Sequence, residues 1–246
     1  MTDRSVEVSV ITTLCNYARY VGDCIESFQK QDFLESEMVI VDDASNDNPY
    51  DVIGPYASQD SRIKYIRIDE NQGYSHAKNV GIRNSLGGYL VMLDADDMLT
   101  IGSLQLRYQA LQEHCDLVHG PVYDFNPDGS LIRSKLWKQW KKNREQPNAY
   151  KYIHAQGVML KKDIHRKIGL YDESLWSKSD REMWARIFHH NFNICTVDRE
   201  VAIYRLHKNQ MHKSKEKLKH NDKLQQEVLK KIEKRKTNLN NVRFLE

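Results

Sequence analysis

The sequence predicts an α/β fold built around a mostly parallel β-sheet. Buried strand patterns at 6–12, 38–41 and 63–68 alternate with helical patterns at 20–31 and 74–85. Strands that alternate with helices in this way are typical of parallel sheets with right-handed crossovers. Ligands of such sheets bind beyond the carboxyl ends of the strands, so the residues that follow each strand are the first candidates for a site.

A fourth strand pattern, at 89–93, leads directly into three carboxylates, Asp94, Asp96 and Asp97. Burying one charge at a strand end is costly, so three so close together imply a compensating cation. Mg²⁺ and Mn²⁺ take oxygen ligands and share them with substrate phosphates, which makes them the natural candidates. The alternative is that Asp96 or Asp97 caps a helix that begins near Ile101.

The second half of the chain has a less regular pattern. The segment 135–151 is rich in Lys and Trp, has no clear period and is predicted to form a loop over the site. Shorter elements are predicted around it: strands at 117–125, 130–132, 157–160 and 201–206, a helix at 163–168 that Gly169 ends, and a helix that Ser179 caps.

No internal repeat or low-complexity linker divides the chain, so we expect one unit over 1–212, with halves of about 1–100 and about 101–212. The tail at 213–246 is basic, and its apolar residues recur at near-helical intervals, which predicts an amphipathic helix. Three roles stay open for this helix: contact with an anionic membrane, packing against a partner chain such as a second copy, or docking on its own domain.

The cysteines form no CxxC pair, so we expect four reduced thiols, Cys15, Cys24, Cys115 and Cys195, in a cytoplasmic protein. No signal-peptide core and no membrane-spanning run is present, although peripheral membrane contact stays open through the tail. A net charge of +3 gives no reason to expect a nucleic-acid partner. The glycine-rich loops GxGxxG and GxxxxGK[ST] are absent, which argues against the nucleotide-binding classes that depend on them.

Seven segments resemble, in order, the motifs of family 2 glycosyltransferases: 8–16, 41–45, 71–81, 93–97, 169–173, 179–186 and 204–207. The resemblance spans about 6–207 and implies a GT-A fold, in which a nucleotide-binding half merges with an acceptor-binding half. It also implies inverting transfer from a nucleotide-activated sugar, with Mn²⁺ or Mg²⁺ as cofactor.

The resemblance assigns roles to residues of the first half. It implies that Thr13 and Asp43 contact the nucleotide base, that Asp94 faces the ribose or the sugar, and that Asp96 binds the metal. Lys78 stands where the family usually has Arg, so a point charge replaces a two-pronged donor toward the nucleotide. Without the resemblance, Thr13 is an ordinary strand-end residue, and Asp43 is an Asx-turn residue.

In the second half, Asp180 matches the second acid of the family's Glu-Asp motif, and Ser179 replaces the first. Transfer to a hydroxyl requires a carboxylate that takes the hydroxyl proton, and the resemblance gives this role to Asp180. The alternative is an acid that only favours the N-terminus of its helix. His207 matches a histidine near the diphosphate and is a candidate metal ligand, with His212 as the weaker candidate.

We expect a nucleotide-sugar donor, with UDP-sugars favoured, and a glycan or glycoconjugate acceptor. Aromatic and polar residues are predicted to line the acceptor cleft, namely Trp137, Trp140, His154, Gln156 and Trp176. Two other functions stay open: a catalytically silent nucleotide-sugar or glycan-binding module, and a nucleotidyltransferase. A glycosyltransferase needs the carboxylate of Asp180, whereas the two alternatives do not.

Overall fold

The computed structural model describes residues 5–146, 148–175, 178–190, 192–208 and 210, and the backbone of 244–245. Its strands are β1 (Val8–Leu14), β2 (Ser36–Asp43), β3 (Ile63–Ile68), β4 (Tyr89–Asp94), β5 (Met98–Leu99), β6 (Leu117–His119), β7 (Val122–Phe125), β8 (Leu131–Arg133), β9 (Val158–Lys161), β10 (Ile194–Thr196), β11 (Ala202–Arg205) and β12 (Phe244–Leu245). Its helices are α1 (Ala18–Gln29), α2 (Tyr50–Gln59), α3 (Tyr74–Asn84), α4 (Ser103–Gln112), α5 (Lys135–Asn143), α6 (Asp163–Ile168) and α7 (Ser179–Phe188).

Within the described ranges, eight strands form the larger sheet, in the order β12-β10-β6-β9-β4-β1-β2-β3. All neighbours are parallel except β9, which runs antiparallel to both β4 and β6. Thr13 lies opposite Asp94, and Leu14 lies opposite Asp42, so the carboxyl ends of β1, β2 and β4 meet at one edge. The predicted α/β fold with a mostly parallel sheet is therefore confirmed.

The smaller sheet has the strand order β5-β11-β7-β8. The prediction of one strand over 117–125 is wrong, because β6 and β7 belong to different sheets and the chain turns at Gly120 and Pro121. A Cβ at Gly120 would lie 2.8 Å from the side chain of Val197, so the turn needs glycine. Strand β11 pairs with β5, which directly follows the acidic segment, and this pairing brings the end of β11 to the site.

The prediction of a loop over 135–151 is also wrong. Helix α5 fills its first half, and a 3₁₀ turn at Ala149–Tyr152 follows. Trp137 and Trp140 lie three residues apart and therefore share one helix face, which is buried in the core. Both indole rings contact the imidazole of His119, with ring centroids 5.5 and 4.3 Å away. These two tryptophans are core residues and do not line an acceptor cleft.

Shorter elements follow their predictions with small shifts. Helix α6 ends at Gly169 as predicted, where φ is +85°. Ser179 is the first residue of α7 and not its cap, because Lys178 occupies the capping position with a left-handed φ of +56°.

Cys115 and Cys195 are joined by a disulfide, so the prediction of four reduced thiols is wrong for this pair. The cysteines are 80 residues apart in sequence, and the parallel pairing of β6 with β10 brings their Cα atoms to 6.0 Å, within the usual disulfide range. Cys15 and Cys24 are not part of a disulfide.

Across the described ranges, no helix combines the length and the apolar character needed to cross a bilayer. Trp176, His212 and the basic tail lie outside the described residues, apart from the backbone of 244–245, which forms β12 beside β10.

Candidate active site

Asp43 ends β2 and holds the loop that precedes α3. Its two carboxylate oxygens accept hydrogen bonds from the backbone N–H groups of Gln72 and Gly73, each at 2.8 Å. The Asx turn belongs instead to the preceding residue, since Oδ1 of Asp42 accepts from the backbone N–H of Ser45 at 2.9 Å. The Asx-turn alternative for Asp43 is therefore wrong, and this carboxylate joins two loops at the sheet edge.

Asp94 ends β4 in the middle of the site. Its Oδ1 accepts a hydrogen bond from the hydroxyl of Tyr74 at 2.6 Å, and the hydroxyl of Thr13 is 3.5 Å from the same oxygen. Its Oδ2 accepts from Nε2 of Gln156 at 2.7 Å. Loss of hydration raises the pKa of Asp94 to about 6, against the opposing charge of Lys78.

Asp94, Asp96 and Asp97 form a cluster in which one carboxylate oxygen of each lies within 4.8 Å of the others. Asp97 is fully buried, and its Oδ1 accepts a hydrogen bond from the backbone N–H of Arg205 at 2.9 Å. Its Oδ2 has no hydrogen-bond partner among the residues that the structure describes. Burial, together with the two neighbouring acids, raises the pKa of Asp97 well above its usual value. A hard divalent cation would fit this oxygen-rich cluster. It would reduce the repulsion among the three carboxylates and would bind the Oδ2 of Asp97 that has no hydrogen-bond partner.

The capping alternative for this cluster is wrong. Helix α4 begins at Ser103, and Gly102 occupies the capping position with a left-handed φ of +70° and no side-chain bond. Neither Asp96 nor Asp97 reaches the helix as a cap, because their side chains pair with the end of β11 and the residues after it.

His207 follows β11 and reaches the acidic cluster. Its Nε2 lies 2.9 Å from Oδ2 of Asp96, and its ring packs against those of Tyr17 and Tyr20, with centroids 5.6 and 4.7 Å away. Arg205 supports the same region, because its Nε donates to the backbone carbonyl of Asp96 at 3.0 Å. The two predicted metal ligands, Asp96 and His207, therefore meet at one place.

Lys78 lies on α3 and is only 1% exposed. Its ammonium stands 4.0 Å from the ring centroid of Tyr74 and 4.9 Å from that of Tyr171, and it has no hydrogen-bond partner in the described chain. Burial lowers the pKa of Lys78, against the opposing charges of Asp94 and Asp180. A buried cation with unused donors can bind an anionic or hydroxylated ligand.

Asp180 lies in the first turn of α7 and is partly exposed. It is close enough to the other half of the site that its charge contributes to raising the pKa of Tyr74 and of Tyr171. The hydroxyl of Ser179, which stands where the family has its first acid, is buried and has no hydrogen-bond partner among the described residues.

Of the predicted acceptor-cleft residues, His154 and Gln156 lie at the site. The ring of His154 packs on that of Tyr204 at 4.8 Å, and loss of hydration lowers its pKa to about 4, against the charge of Asp180 and a hydrogen bond with Gln156.

Tyr74 and Tyr171 are site residues that the sequence reasoning missed. Tyr74 lies in the segment 71–81 and Tyr171 in the segment 169–173, both of which resemble family motifs. Their places in these segments were the one sequence feature that could have marked them as site residues.

A protein-family model described as glycosyl transferase family 2 matches residues 9–169. GlyG of Streptococcus pneumoniae is 31% identical over 126 residues, covering 50% of this chain and 42% of that protein. The glycosyltransferase MJ1057 of Methanocaldococcus jannaschii is 25% identical over 210 residues, covering 83% of this chain and 72% of that protein. The chain spans 42% and 23% of the lengths of two pneumococcal relatives, GlyG and GlyA.

Two solved structures share the fold. TarS of S. aureus in complex with UDP-GlcNAc superposes with a TM-score of 0.68 at 19% identity, covering 85% of this chain and 61% of that one. The mannosyltransferase PcManGT of Pyrobaculum calidifontis, in complex with GDP-Man and Mn²⁺, gives 0.74 at 19% identity, covering 96% and 67%. Both are GT-A glycosyltransferases, which confirms the predicted GT-A fold. The family match over most of the chain shows that this protein belongs to glycosyltransferase family 2.

Proposed function

We propose that this chain is an inverting, metal-dependent glycosyltransferase that moves a sugar from a nucleotide-sugar, with UDP-sugars favoured, to a hydroxyl of a glycan or glycoconjugate. The observation that carries the proposal is the proximity of Tyr74 to two carboxylates. Its hydroxyl donates to Asp94, and the charge of Asp180 also acts on it. A donor-side and an acceptor-side carboxylate therefore share one site, as transfer between two bound substrates requires.

On the donor side, Thr13, Asp43 and Lys78 hold the nucleotide in this proposal. Asp43 supports that role because its carboxylate fixes the loop before α3 at the carboxyl end of β2. Lys78 supports it because its ammonium is buried and donates no hydrogen bond within the described chain. The ligands bound to the two structural relatives, UDP-GlcNAc in TarS and GDP-Man in PcManGT, support a nucleotide-sugar as the donor of this chain. The two ligands differ in their base, so the base is determined by experiment.

Asp96 and His207 would hold the metal, Mn²⁺ or Mg²⁺, with Asp97 beside them. The orphaned Oδ2 of Asp97 and the mutual proximity of the three acids favour a cation here. A divalent ion bound to this cluster would offset the negative charge of the departing diphosphate.

Asp180 acts as the general base. As the acceptor oxygen bonds to the anomeric carbon, its proton passes to the carboxylate of Asp180, and the bond from that carbon to the diphosphate oxygen breaks. Attack on the face opposite the leaving group inverts the anomeric configuration. A positioned base of this kind contributes about 10²–10⁴ to the rate.

A catalytically silent binding module is the second candidate, favoured by one observation. Ser179 takes the place of the family's first acid, and its hydroxyl has no partner in the part of the chain that the structure describes. Under this alternative, and for a nucleotidyltransferase, changing Asp180 has no effect on what the protein does.

A thermal-shift screen tests the donor half of the proposal. The chain is heated with UDP-, GDP-, CMP- and dTDP-sugars, each with and without Mn²⁺. Ligand at 100 times its dissociation constant adds about 2.7 kcal/mol of stability, which corresponds to a Tm rise of about 5–10 °C at this size. We expect a rise with one nucleotide class, larger with Mn²⁺. No rise with any of the nucleotide-sugars would overturn the proposal.

A further inference from the structure

Gln156 connects the acceptor half of the molecule to the donor-side carboxylate. It lies in the 3₁₀ turn Ala155–Gly157, is 3% exposed and donates from Nε2 to Oδ2 of Asp94 at 2.7 Å. The backbone of this turn has little freedom, since a Cβ at Gly157 would lie 2.6 Å from the carbonyl oxygen of Gly120. The tightly packed turn therefore holds the amide of Gln156 in place beside Asp94.

Arg107 on α4 fixes this turn from the other side. Its guanidinium is fully buried and donates to the carbonyls of Gln156 and Val158 at 3.4 and 3.0 Å, and to the hydroxyl of Ser103 at 2.8 Å. No carboxylate of the described chain pairs with it, and burial lowers its pKa to about 9. Burying a guanidinium without a carboxylate partner carries a large desolvation penalty. What these hydrogen bonds do is hold the backbone carbonyls on both sides of Gly157.

The carboxylate of Asp94 is held at both oxygens by neutral donors, the hydroxyl of Tyr74 at Oδ1 and the amide of Gln156 at Oδ2. Two short hydrogen bonds from different elements prevent the carboxylate from rotating. An ionised carboxylate has about four acceptor positions, so some remain free and point in fixed directions. Asp96, by contrast, pairs with His207, and these two residues hold the metal in the proposed function.

We propose that Gln156 is a positioning and specificity-determining residue that aims the free lone pairs of Asp94 at a hydroxyl of the donor sugar, and not at the ribose. This inference rests on the proposed function. Gln156 belongs to the acceptor half and forms hydrogen bonds with both Asp94 and His154, and the charge of Asp180 acts on both of these groups. Gln156 therefore lies where the transferred sugar must meet the acceptor in the proposed function. The contribution of Gln156 is therefore confined to the sugar part of the donor.

The test compares the affinity for a nucleotide-sugar with that for the matching nucleoside diphosphate, by titration calorimetry with Mn²⁺ present. Gln156→Met keeps the length of the side chain and removes the donor. We expect its affinity for the nucleotide-sugar to fall about 10- to 100-fold, as for a lost hydrogen bond to a charged group. Its affinity for the nucleoside diphosphate should stay within about twofold of wild type, since the nucleotide does not use Asp94.

Gln156→Leu provides a second variant without the amide donor, in case Gln156→Met fails to fold. It adds no charge beside the acidic cluster and should show the same selective loss. Gln139→Met, on the exposed face of α5, is the matched control and should bind both ligands like wild type. Equal loss of both affinities, or no loss of either, would overturn the role of Gln156. If wild type binds neither ligand, the proposed function itself fails.

Discussion

The imidazole Nε2 of His207 lies 2.9 Å from the carboxylate Oδ2 of Asp96, although 111 residues separate them in sequence. Both side chains are nearly buried, with 10% and 8% of their surfaces exposed. The contact depends on the pairing of β11 with β5, which places the residues after β11 beside the acidic cluster. A nitrogen and several oxygen ligands are therefore available at one point.

We expect Asp96→Ala to abolish Mn²⁺ binding and to lower diphosphate affinity with it, because it removes a central ligand. His207→Ala should weaken both less severely, about 10-fold, since the three-acid cluster loses only its imidazole neighbour. Titration calorimetry with Mn²⁺ measures the effect. Asp32→Ala and His190→Ala change exposed residues of the same types and should bind Mn²⁺ like wild type. Unchanged Mn²⁺ binding in both site variants would rule out the metal site.

The sequence predicts the parallel part of the fold well because β-branched runs and helical faces there have clear periods. The helical pattern predicted at 20–31 corresponds to α1, whose buried apolar residues recur at helical intervals, namely Val21, Cys24, Ile25 and Phe28. The polar residues after β1, β2 and β4 meet at one edge as predicted, because parallel strands in register align their ends.

The acceptor half was predicted less well, because its short elements depend on distant contacts. The burial of Trp137 and Trp140 depends on His119 and on other core residues far along the chain. The disulfide forms because β6 pairs with β10. The spacing of the cysteines in the sequence does not predict this pairing of strands. The contact of Gln156 with Asp94 likewise joins residues 62 apart, and no local pattern marks it.

The disulfide predicts a specific thiol count. Under denaturing conditions without reductant, two thiols should react with a thiol reagent, from Cys15 and Cys24, and four should react after reduction. Cys195→Ala opens a loop of 80 residues and should lower the free energy of unfolding by about 2–4 kcal/mol, measured by urea denaturation. Four reactive thiols in the unreduced protein would show that the bond is absent.

Acid should destabilise the fold through His119. Burial lowers the pKa of His119 to about 3, whereas an unfolded histidine titrates near 6.5. Below about pH 6.5 the unfolded chain takes up a proton that the folded chain refuses, so this contribution to stability is lost progressively as pH falls toward about 3. At pH 5 the loss from this residue is about 2 kcal/mol relative to pH 7.5.

His119→Phe keeps a ring between the two tryptophans and removes the titration. We expect the difference in urea midpoint between pH 7.5 and pH 5 to shrink in this variant. His190→Gln changes an exposed histidine and should leave the difference as in wild type. An undiminished difference in His119→Phe would exclude His119 as a cause of the acid sensitivity.

Asp180 carries the central claim, and Asp163 provides its control. Both acids lie in the first turn of a helix, α7 and α6 respectively, where the helix dipole favours an anion. If Asp180 serves only its helix, Asp180→Asn and Asp163→Asn should have the same small effect, about 0.3–1 kcal/mol of stability and no change in transfer. If Asp180 is the base, only Asp180→Asn slows the reaction.

The most direct measurement pairs the dissociation constant for the nucleotide-sugar with the rate of nucleoside diphosphate release in the presence of a panel of glycan acceptors. For Asp180→Asn, we expect a dissociation constant within about twofold of wild type and a rate lower by about 10²–10⁴, because a proton acceptor is lost without loss of volume. Asp163→Asn should match wild type in both. Release by Asp180→Asn at the wild-type rate would contradict the assignment of Asp180 as the general base.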